Sequence, residues 1–426
     1  MLKGFCFLTT GILFFVPTSW ATYSIAACDT ASHVCGVAVQ TNNLAVGASV
    51  PYAKAGIGAI ASQFETNPNY GPRGLALLAQ GKSPEETLHQ LLADDGHFDG
   101  QGIESRQVGI VSADGRVFVY TGKEAAHANW AGSRTGNGYS IQGNGLVGPQ
   151  VVAAMEQAFL KTTGALAERL MAALIAGDRA GGQSTGRESA ALLVSTPDGF
   201  PLDIDLRVDH SADPVSDLQT LLNIQMARQQ IIQASIAANQ ARFADARAQL
   251  IAGVARAPMW ARTWTSAARV AARIEEPELT LQYLNIAFGM NLKWTETEIG
   301  SGNFAALGAD PLFHRWVNNE QQNSVLADYR QFSLKKNPPP LETIDIAANL
   351  LEIGNPAESL VALERVTASQ STAETFLLRA TAYAALGQYS QALNACSSGL
   401  ASSPADHRLR LRCARFKTES EKQSSN

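Results

Sequence analysis

Charge is scarce in this chain. Asp, Glu, Lys and Arg make up 17% of 426 residues, and 33 basic against 38 acidic side chains leave a formal charge of −5. An acidic balance offers no extended surface for neutralising phosphates, so no nucleic-acid partner is expected. Long apolar runs are also missing. Beyond residue 21 none reaches 18 residues, which predicts no stable membrane insertion of a processed chain. The seven histidines (His33, His89, His97, His127, His210, His314 and His407) show no HExxH or other short ligand spacing. A G-x-S-x-G elbow and a G-x-x-x-x-G-K-[ST] loop are both absent, and the glycine-rich TGNGYSIQGNG lacks the lysine of a phosphate loop. The sequence therefore predicts neither a metal nor a cofactor.

What is present begins at the N-terminus. Residues 1–21, MLKGFCFLTTGILFFVPTSWA, combine Lys3, an apolar run from Gly4 to Val16, and small residues Ser19 and Ala21 at the −3 and −1 positions of a signal-peptidase site. Cleavage there predicts a periplasmic or secreted chain that starts Thr22-Tyr23-Ser24-Ile25. It leaves 405 of the 426 residues, and loss of Lys3 takes the formal charge from −5 to −6. A free N-terminal threonine is a complete nucleophile-plus-base pair, because its hydroxyl attacks while its own α-amine, with an ordinary pKa of about 7.7–8.0, takes the proton. If the leader were retained, Thr22 would be internal and this chemistry would be closed to it. Five cysteines are present, and Cys6 leaves with the leader. The remaining four allow three pairings; proximity favours Cys28–Cys35, across a hairpin loop, and Cys396–Cys413, in keeping with an oxidising compartment.

The chain then changes period. From Thr22 to about Asp213, TYSIAAC, CGVAVQ, AVGASV and GIGAIASQ read as strands. PRGLALLAQG and SPEETLHQLLADDG follow as helices, the second with Ser83, Pro84 and Glu86 placed for an N-terminal cap. RQVGIVSADGRVFVYTG is a hairpin turning at Asp114-Gly115. VVAAMEQAFLK and LAERLMAALIAGD form a second helical block, and SAALLVS and LDIDLRV close the region as strands. This order predicts a layered α+β fold. From about Val215 the pattern is helical, with a repeating frame of small residues. Phe243-Ala246-Leu250, Pro277-Thr280-Leu284, Pro356-Ser359-Leu363 and Tyr389-Ala392-Cys396 share one spacing near 34 residues, interrupted around Trp294 to Trp316 and Lys335 to Pro340. Such a period resembles tetratricopeptide repeats, in which small side chains let paired helices approach.

TYSIAACD, CGVAVQTNNLAVGASVPYAKAGIGAIASQ, TNPNYGPRGLALLAQG, RQVGIV, TGNGYSIQGNGLVG and GRESAALLVS together resemble the domain-of-unknown-function 1028 family, placed in the N-terminal-nucleophile (Ntn) hydrolase superfamily. The resemblance covers about residues 22–222. It implies a four-layer αββα sandwich followed by an all-α tetratricopeptide-like domain, dividing the chain into a leader (1–21), a hydrolase-like domain (22–222) and repeats (223–426). Family members typically carry the same Thr-aromatic-Ser-Ile start directly after the initiator methionine. Here the signal peptide takes that methionine's place. Two departures stand out: Phe64-Glu65 replaces Ala and an aromatic, and Gln183 follows Gly181-Gly182 where the family usually has Asp.

These readings nominate Thr22 as nucleophile and Asn144, in Gln142-Gly143-Asn144-Gly145, as donor to an oxyanion from a flexible glycine-rich turn. Gln63, Asn67 and Tyr70 are nominated to line the substrate pocket, and Arg106 to bind a substrate carboxylate. Glu188 and Asp209 are placed either to orient the α-amine or to anchor a loop. The expected function is an exported amidohydrolase of a small amide or peptide-like substrate, with a protein partner or distal substrate held by the repeats, and with self-association into a homo-oligomer compatible with the sequence. The competing expectation is a catalytically inactive periplasmic scaffold that works through its repeats.

Overall fold

The computed structural model of the chain describes residues 21–200 and 202–424. Of the expected leader only Ala21 falls within them. The chain divides into two compact units between Leu222 and Asn223.

The first unit contains β1 (Thr22–Cys28), β2 (Cys35–Thr41), β3 (Pro51–Lys54), β4 (Gly58–Phe64), β5 (Arg106–Ser112), β6 (Val117–Thr121), β7 (Trp130–Gly136), β8 (Tyr139–Leu146), β9 (Ser189–Ser195) and β10 (Ile204–Val208). They form a six-stranded sheet in the order β10-β9-β2-β1-β8-β7 and a four-stranded sheet in the order β3-β4-β5-β6. Tight turns join successive strands, Asp114-Gly115 between β5 and β6 and Asn137-Gly138 between β7 and β8, with both glycines at positive φ (90° and 78°). Helices α1 (Tyr70–Ala79) and α2 (Pro84–Ala93) cover the four-stranded sheet, α3 (Lys123–Ala126) is a single turn, and α4 (Gln150–Lys161) and α5 (Leu166–Arg179) cover the six-stranded one. The uncovered faces of the two sheets pack on each other through β1 and β2 against β4. The sequence-read cap of α2 is formed: Ser83 Oγ accepts from the Glu86 N–H, and the Glu86 carboxylate accepts from the Ser83 N–H at 2.8 Å.

Because both faces of each sheet are covered, β1 is buried throughout, and its two-residue period sorts side chains between two interiors. Tyr23 packs towards α5, where a methyl group on Gly177 would come within 3.0 Å of its ring. Ala26 and Cys28 instead join Val37, Val39, Ala59, Ala61 and Val111 in a core between the sheets, and Thr22 and Ser24 share that side. The AVGASV segment, read above as a strand, is a 3-10 turn (Val46–Ala48) entered through Ala45 in the left-handed region. A Cβ at Gly47 would meet Arg207 at 2.7 Å, so this glycine belongs to a close chain crossing and not to a pleat. Cys28 and Cys35 lie directly opposite in the β1–β2 register and are joined, as are Cys396 and Cys413.

The second unit is helical: α6 (Pro214–Asn239, from Asn223 on), α7 (Phe243–Arg256), α8 (Ala261–Arg273), α9 (Pro277–Met290), α10 (Leu292–Glu296), α11 (Pro311–His314), α12 (Asn319–Ser333), α13 (Pro340–Glu352), α14 (Pro356–Leu363), α15 (Ala373–Ala385), α16 (Tyr389–Ser402) and α17 (His407–Ser424). The spaced residues Phe243, Pro277, Pro356 and Tyr389 each open a helix, and Ala246, Leu250, Thr280, Leu284, Ser359, Leu363, Ala392 and Cys396 are all buried beneath them.

The Glu352 carboxylate is fully enclosed in this unit. Glu352 accepts hydrogen bonds from the Gly300 N–H at 2.7 Å and from the Phe304 N–H, so the 300–304 loop folds around it. Burial pushes this carboxyl up to about 7, against the pull of those donors. Since its folded pKa lies above its unfolded value, its stabilising contribution is complete below the ordinary carboxylate range and is lost as pH rises through about 7. The thermal midpoint of the helical unit is therefore expected to fall between pH 5 and pH 8, and Glu352→Gln to flatten that dependence. Melting curves across this range check it, and an unchanged slope in the variant would refute it.

Candidate active site

Thr22 opens the strand at the middle of the six-stranded sheet, and the register places Thr41 of β2 and Asn144 of β8 directly opposite it on either side. Three side chains from three strands thus meet by backbone pairing alone. The Thr22 N–H donates to Asn144 Oδ1 at 3.2 Å, and the Thr22 and Thr41 hydroxyls lie 3.0 Å apart. The Thr41 hydroxyl has one hydrogen and gives it to the Ala21 carbonyl oxygen at 2.8 Å, so the Thr22 hydroxyl is the donor between the two.

The peptide bond preceding Thr22 is held by several further groups. Besides Thr41, the Ala21 carbonyl accepts from Gln183 Nε2 and from the Asn42 N–H at 3.4 Å, while the Ala21 N–H donates to Asn42 Oδ1 at 3.3 Å. Ala21 is thereby tied to Asn42, the residue after β2, by one backbone and one side-chain hydrogen bond. Gln183 arrives from a loop in which Gly181 and Gly182 both take positive φ (109° and 53°), letting the chain turn back to bridge Leu146 at the end of β8. Gln183 also donates to the Gln40 carbonyl at 3.2 Å, and its own buried Oε1 has no partner among the described residues. Ala21 is fully enclosed, Thr22 is 4% exposed and Gln183 is 7% exposed.

Behind Thr22, neutral amides continue the network. Gln63 Nε2 donates to the Thr22 carbonyl at 3.2 Å and to Gln107 Oε1 at 2.7 Å, and its Oε1 accepts from Ser24 Oγ at 2.6 Å. Asn144 Nδ2 donates to the same Gln107 oxygen at 2.9 Å. Asn144 therefore differs from its expected role. It lies within β8 and not in a flexible turn, its Nδ2 donates to Gln107, and its oxygen faces the Thr22 nitrogen, an arrangement that orients that nitrogen.

The other nominated residues gather elsewhere. Asn67, Tyr70 and Arg106 converge on Asp95: Asn67 Nδ2 at 3.2 Å, Tyr70 OH at 2.7 Å, and Arg106 through Nε at 3.0 Å and Nη2 at 3.2 Å. Arg106 also donates to the carbonyls of Glu65, Phe98 and Gln101, at 2.9 Å, 3.1 Å and 2.9 Å. With its fork engaged and 1% of its surface exposed, Arg106 pins the 95–106 loop and has no free face for a substrate carboxylate. Burial raises the Asp95 carboxyl, but hydrogen bonds from Arg106, Tyr70 and Asn67 outweigh it and hold it below its usual range. Phe64 ends β4 at φ 68°, an unusual conformation for an aromatic residue, and the Glu65 carboxyl beside it is raised by burial. Glu188 pairs with His210 and Asp209 with Arg207, so neither orients the Thr22 nitrogen. Among the described residues no group of His, Cys, Asp and Glu is arranged to hold a metal ion.

Sequence reasoning missed Thr41 and Gln107, and it met Gln183 only as a departure from the family pattern. The signal that finds Thr41 is strand register: once Cys28 is opposite Cys35, counting back along the hairpin puts Thr41 opposite Thr22.

No curated protein matches this chain. The model of a family of unknown function, DUF1028, matches residues 22–218. A solved protein from Silicibacter pomeroyi, described as DUF1028, is 30% identical over 47% of this chain and 88% of its own, with a TM-score of 0.42. Through residues 22–218, which hold Thr22, Thr41, Gln63, Gln107, Asn144 and Gln183, the chain belongs to the DUF1028 family of unknown function.

Proposed function

We propose that this chain is an exported hydrolase of an amide or related acyl bond, with an Ntn-hydrolase-like αββα sandwich that works through the free N-terminus of Thr22. The observation that carries the reading is the treatment of the Ala21–Thr22 peptide. Its nitrogen is held by Asn144, the hydroxyl beside it is engaged by Thr41, and its carbonyl oxygen is met by three donors. Removal of residues 1–21 frees those donors and the space Ala21 fills. A substrate acyl group taking that place would bond to Asn42 as Ala21 does, which favours a peptide-like substrate with a small residue at the scissile carbonyl.

In the reaction, Thr22 Oγ1 attacks the substrate carbonyl carbon and its proton passes to the Thr22 α-amine. The oxyanion forms where the Ala21 oxygen sits, facing Thr41 Oγ1, Gln183 Nε2 and the Asn42 N–H. Collapse expels the leaving amine, which takes the proton, and leaves an ester on Thr22 that water hydrolyses. The partners of Thr22 are neutral, and an α-amine with an ordinary pKa of about 7.7–8.0 is available as a base near neutral pH. The two disulfides support an oxidising compartment, and among the described residues no helix is long and apolar enough to cross a membrane. The helix-opening frame of the second unit supports tetratricopeptide-like repeats that bind a partner or distal substrate.

A catalytically silent scaffold is the second reading, favoured by the enclosure of Thr22 at 4% exposure. Intact mass and N-terminal sequencing of the exported chain test the enzyme reading first. A start at Thr22 is expected; any other start leaves no α-amine on Thr22 and overturns the mechanism.

A further inference from the structure

The helical unit concentrates charge in a place the Thr22 chemistry does not use. Helix α8 carries Arg262, Ser266, Arg269 and Arg273 at helical spacing, while Ala267, Ala268, Ala271 and Ala272 are buried. Arg228 and Ser235 of α6 join them around a recess of about 500 Å³ whose apolar part includes Ile231 and Trp260. Four arginines line this recess and, among the described residues, no carboxylate does. Arg273 donates to Ser235 Oγ at 3.0 Å and Asn239 Oδ1 at 3.1 Å, neutral acceptors that fix its fork without cancelling its charge. Arg262 lies 5.5 Å from the Trp294 ring centre, and Arg269 reaches Glu298 at 3.2 Å. A smaller recess of about 170 Å³ shares Arg269 and Arg273, and its two carboxylates are already engaged: Glu275 by Arg412 at 2.9 Å and Glu374 by Arg408 at 2.7 Å. A cationic cleft thus sits in a chain whose formal charge is −5.

We propose that this cleft binds an acidic peptide segment, with carboxylates on the forks of Arg262 and Arg273 and an aliphatic side chain against Ile231 and Trp260. Guanidinium forks match carboxylates bidentately, and pre-oriented ones lose little entropy on binding. The apolar wall and the volume suit a few side chains, whereas a polyanion meets the net negative charge of the chain. This deepens the partner-binding half of the function proposed above and does not depend on Thr22.

The test uses the full exported chain and a fluorescein-labelled alternating Glu-Leu octapeptide, read by anisotropy at low and moderate salt, beside its Gln-Leu counterpart. The Glu peptide is expected to bind at least about tenfold more tightly than the Gln peptide and to weaken with salt. Arg262→Gln and Arg273→Gln should each weaken it about tenfold, Arg273→Lys should restore part of the loss, and Arg73→Gln should change nothing. Circular dichroism identifies any variant that fails to fold, in which case the Lys variant and the salt dependence carry the decision. Equal affinity for the two peptides, indifference to the arginine changes, or tighter arginine-dependent binding of an oligothymidylate would overturn the proposal. Electrophile labelling of the wild-type processed chain, run beside the same titration, separates the two ideas: peptide binding with no label at Thr22 removes the enzyme reading alone, and labelling at Thr22 with no arginine-dependent peptide binding removes the cleft.

Discussion

A processed chain carrying Thr22→Ala is expected to take up no label from electrophilic β-lactone or epoxide probes, while the wild type is captured at Thr22 and Thr22→Ser keeps part of the reactivity. Loss of the nucleophile removes the covalent step itself, so turnover of any acyl-amide substrate found by screening should drop by roughly four orders of magnitude or more. Stability should move little in comparison. The Thr22 side chain makes one hydrogen bond, to Thr41, and such a bond contributes about 1 kcal/mol net. A chain that folds normally, binds through its helices and fails to react would locate the chemistry at this hydroxyl. Mass spectrometry of the labelled peptide makes the measurement, and labelling of Thr22→Ala equal to wild type would refute the mechanism.

The second large effect is on folding. Asp95→Ala leaves the Arg106 guanidinium enclosed without its counter-charge, and breaking a buried pair in this way costs about 3–5 kcal/mol. Tyr70 OH loses its acceptor at the same time. Pairing the change with Arg106→Met should recover much of the loss, because removing both charges relieves the desolvation that breaking one exposes. The Asp95 carboxyl is held below its unfolded pKa, so its contribution is present above the ordinary carboxylate range and disappears as pH falls through its folded value. Denaturant titrations of the single and double variants at neutral pH decide the matter. A single-variant loss below about 1 kcal/mol would mean that water already reaches the guanidinium.

Much of this architecture was legible from local chemistry. Ser83-Pro84 with Glu86, the Asp114-Gly115 turn and the closeness of Cys28 to Cys35 are short-range signals, and each corresponds to a feature of the fold. Of the residues around Thr22, the sequence pointed to Gln63 and Asn144 but not to how they meet it. Gln107 and Gln142 sit in strands where alternating polar residues ordinarily mark a solvent face; here that face is closed by a second sheet, so the same alternation marks a buried amide network. Arg106 and Asp95 are eleven residues apart across a loop, a distance over which no periodicity speaks. Asn144 was identified by its glycine neighbours, but those glycines lie in or beside the β8 ladder, and its amide is fixed by pairing with Thr22 and Gln107.

On the proposed processing, the position of the cut is a problem of parity. Successive residues of β1 point to opposite interiors, so Thr22 and Tyr23 belong to different compartments of the same sheet. A peptidase that trimmed one residue too many would not shorten the nucleophile's reach by a few ångströms. It would present a tyrosine facing the helices, with the amides of Gln63 and Asn144 left around nothing reactive. One residue too few would leave Ala21 seated among its donors as a built-in competitor for any acyl group. On that proposal the sheet would act as a proofreader of the cut, with one position giving a reactive terminus and both neighbours giving none.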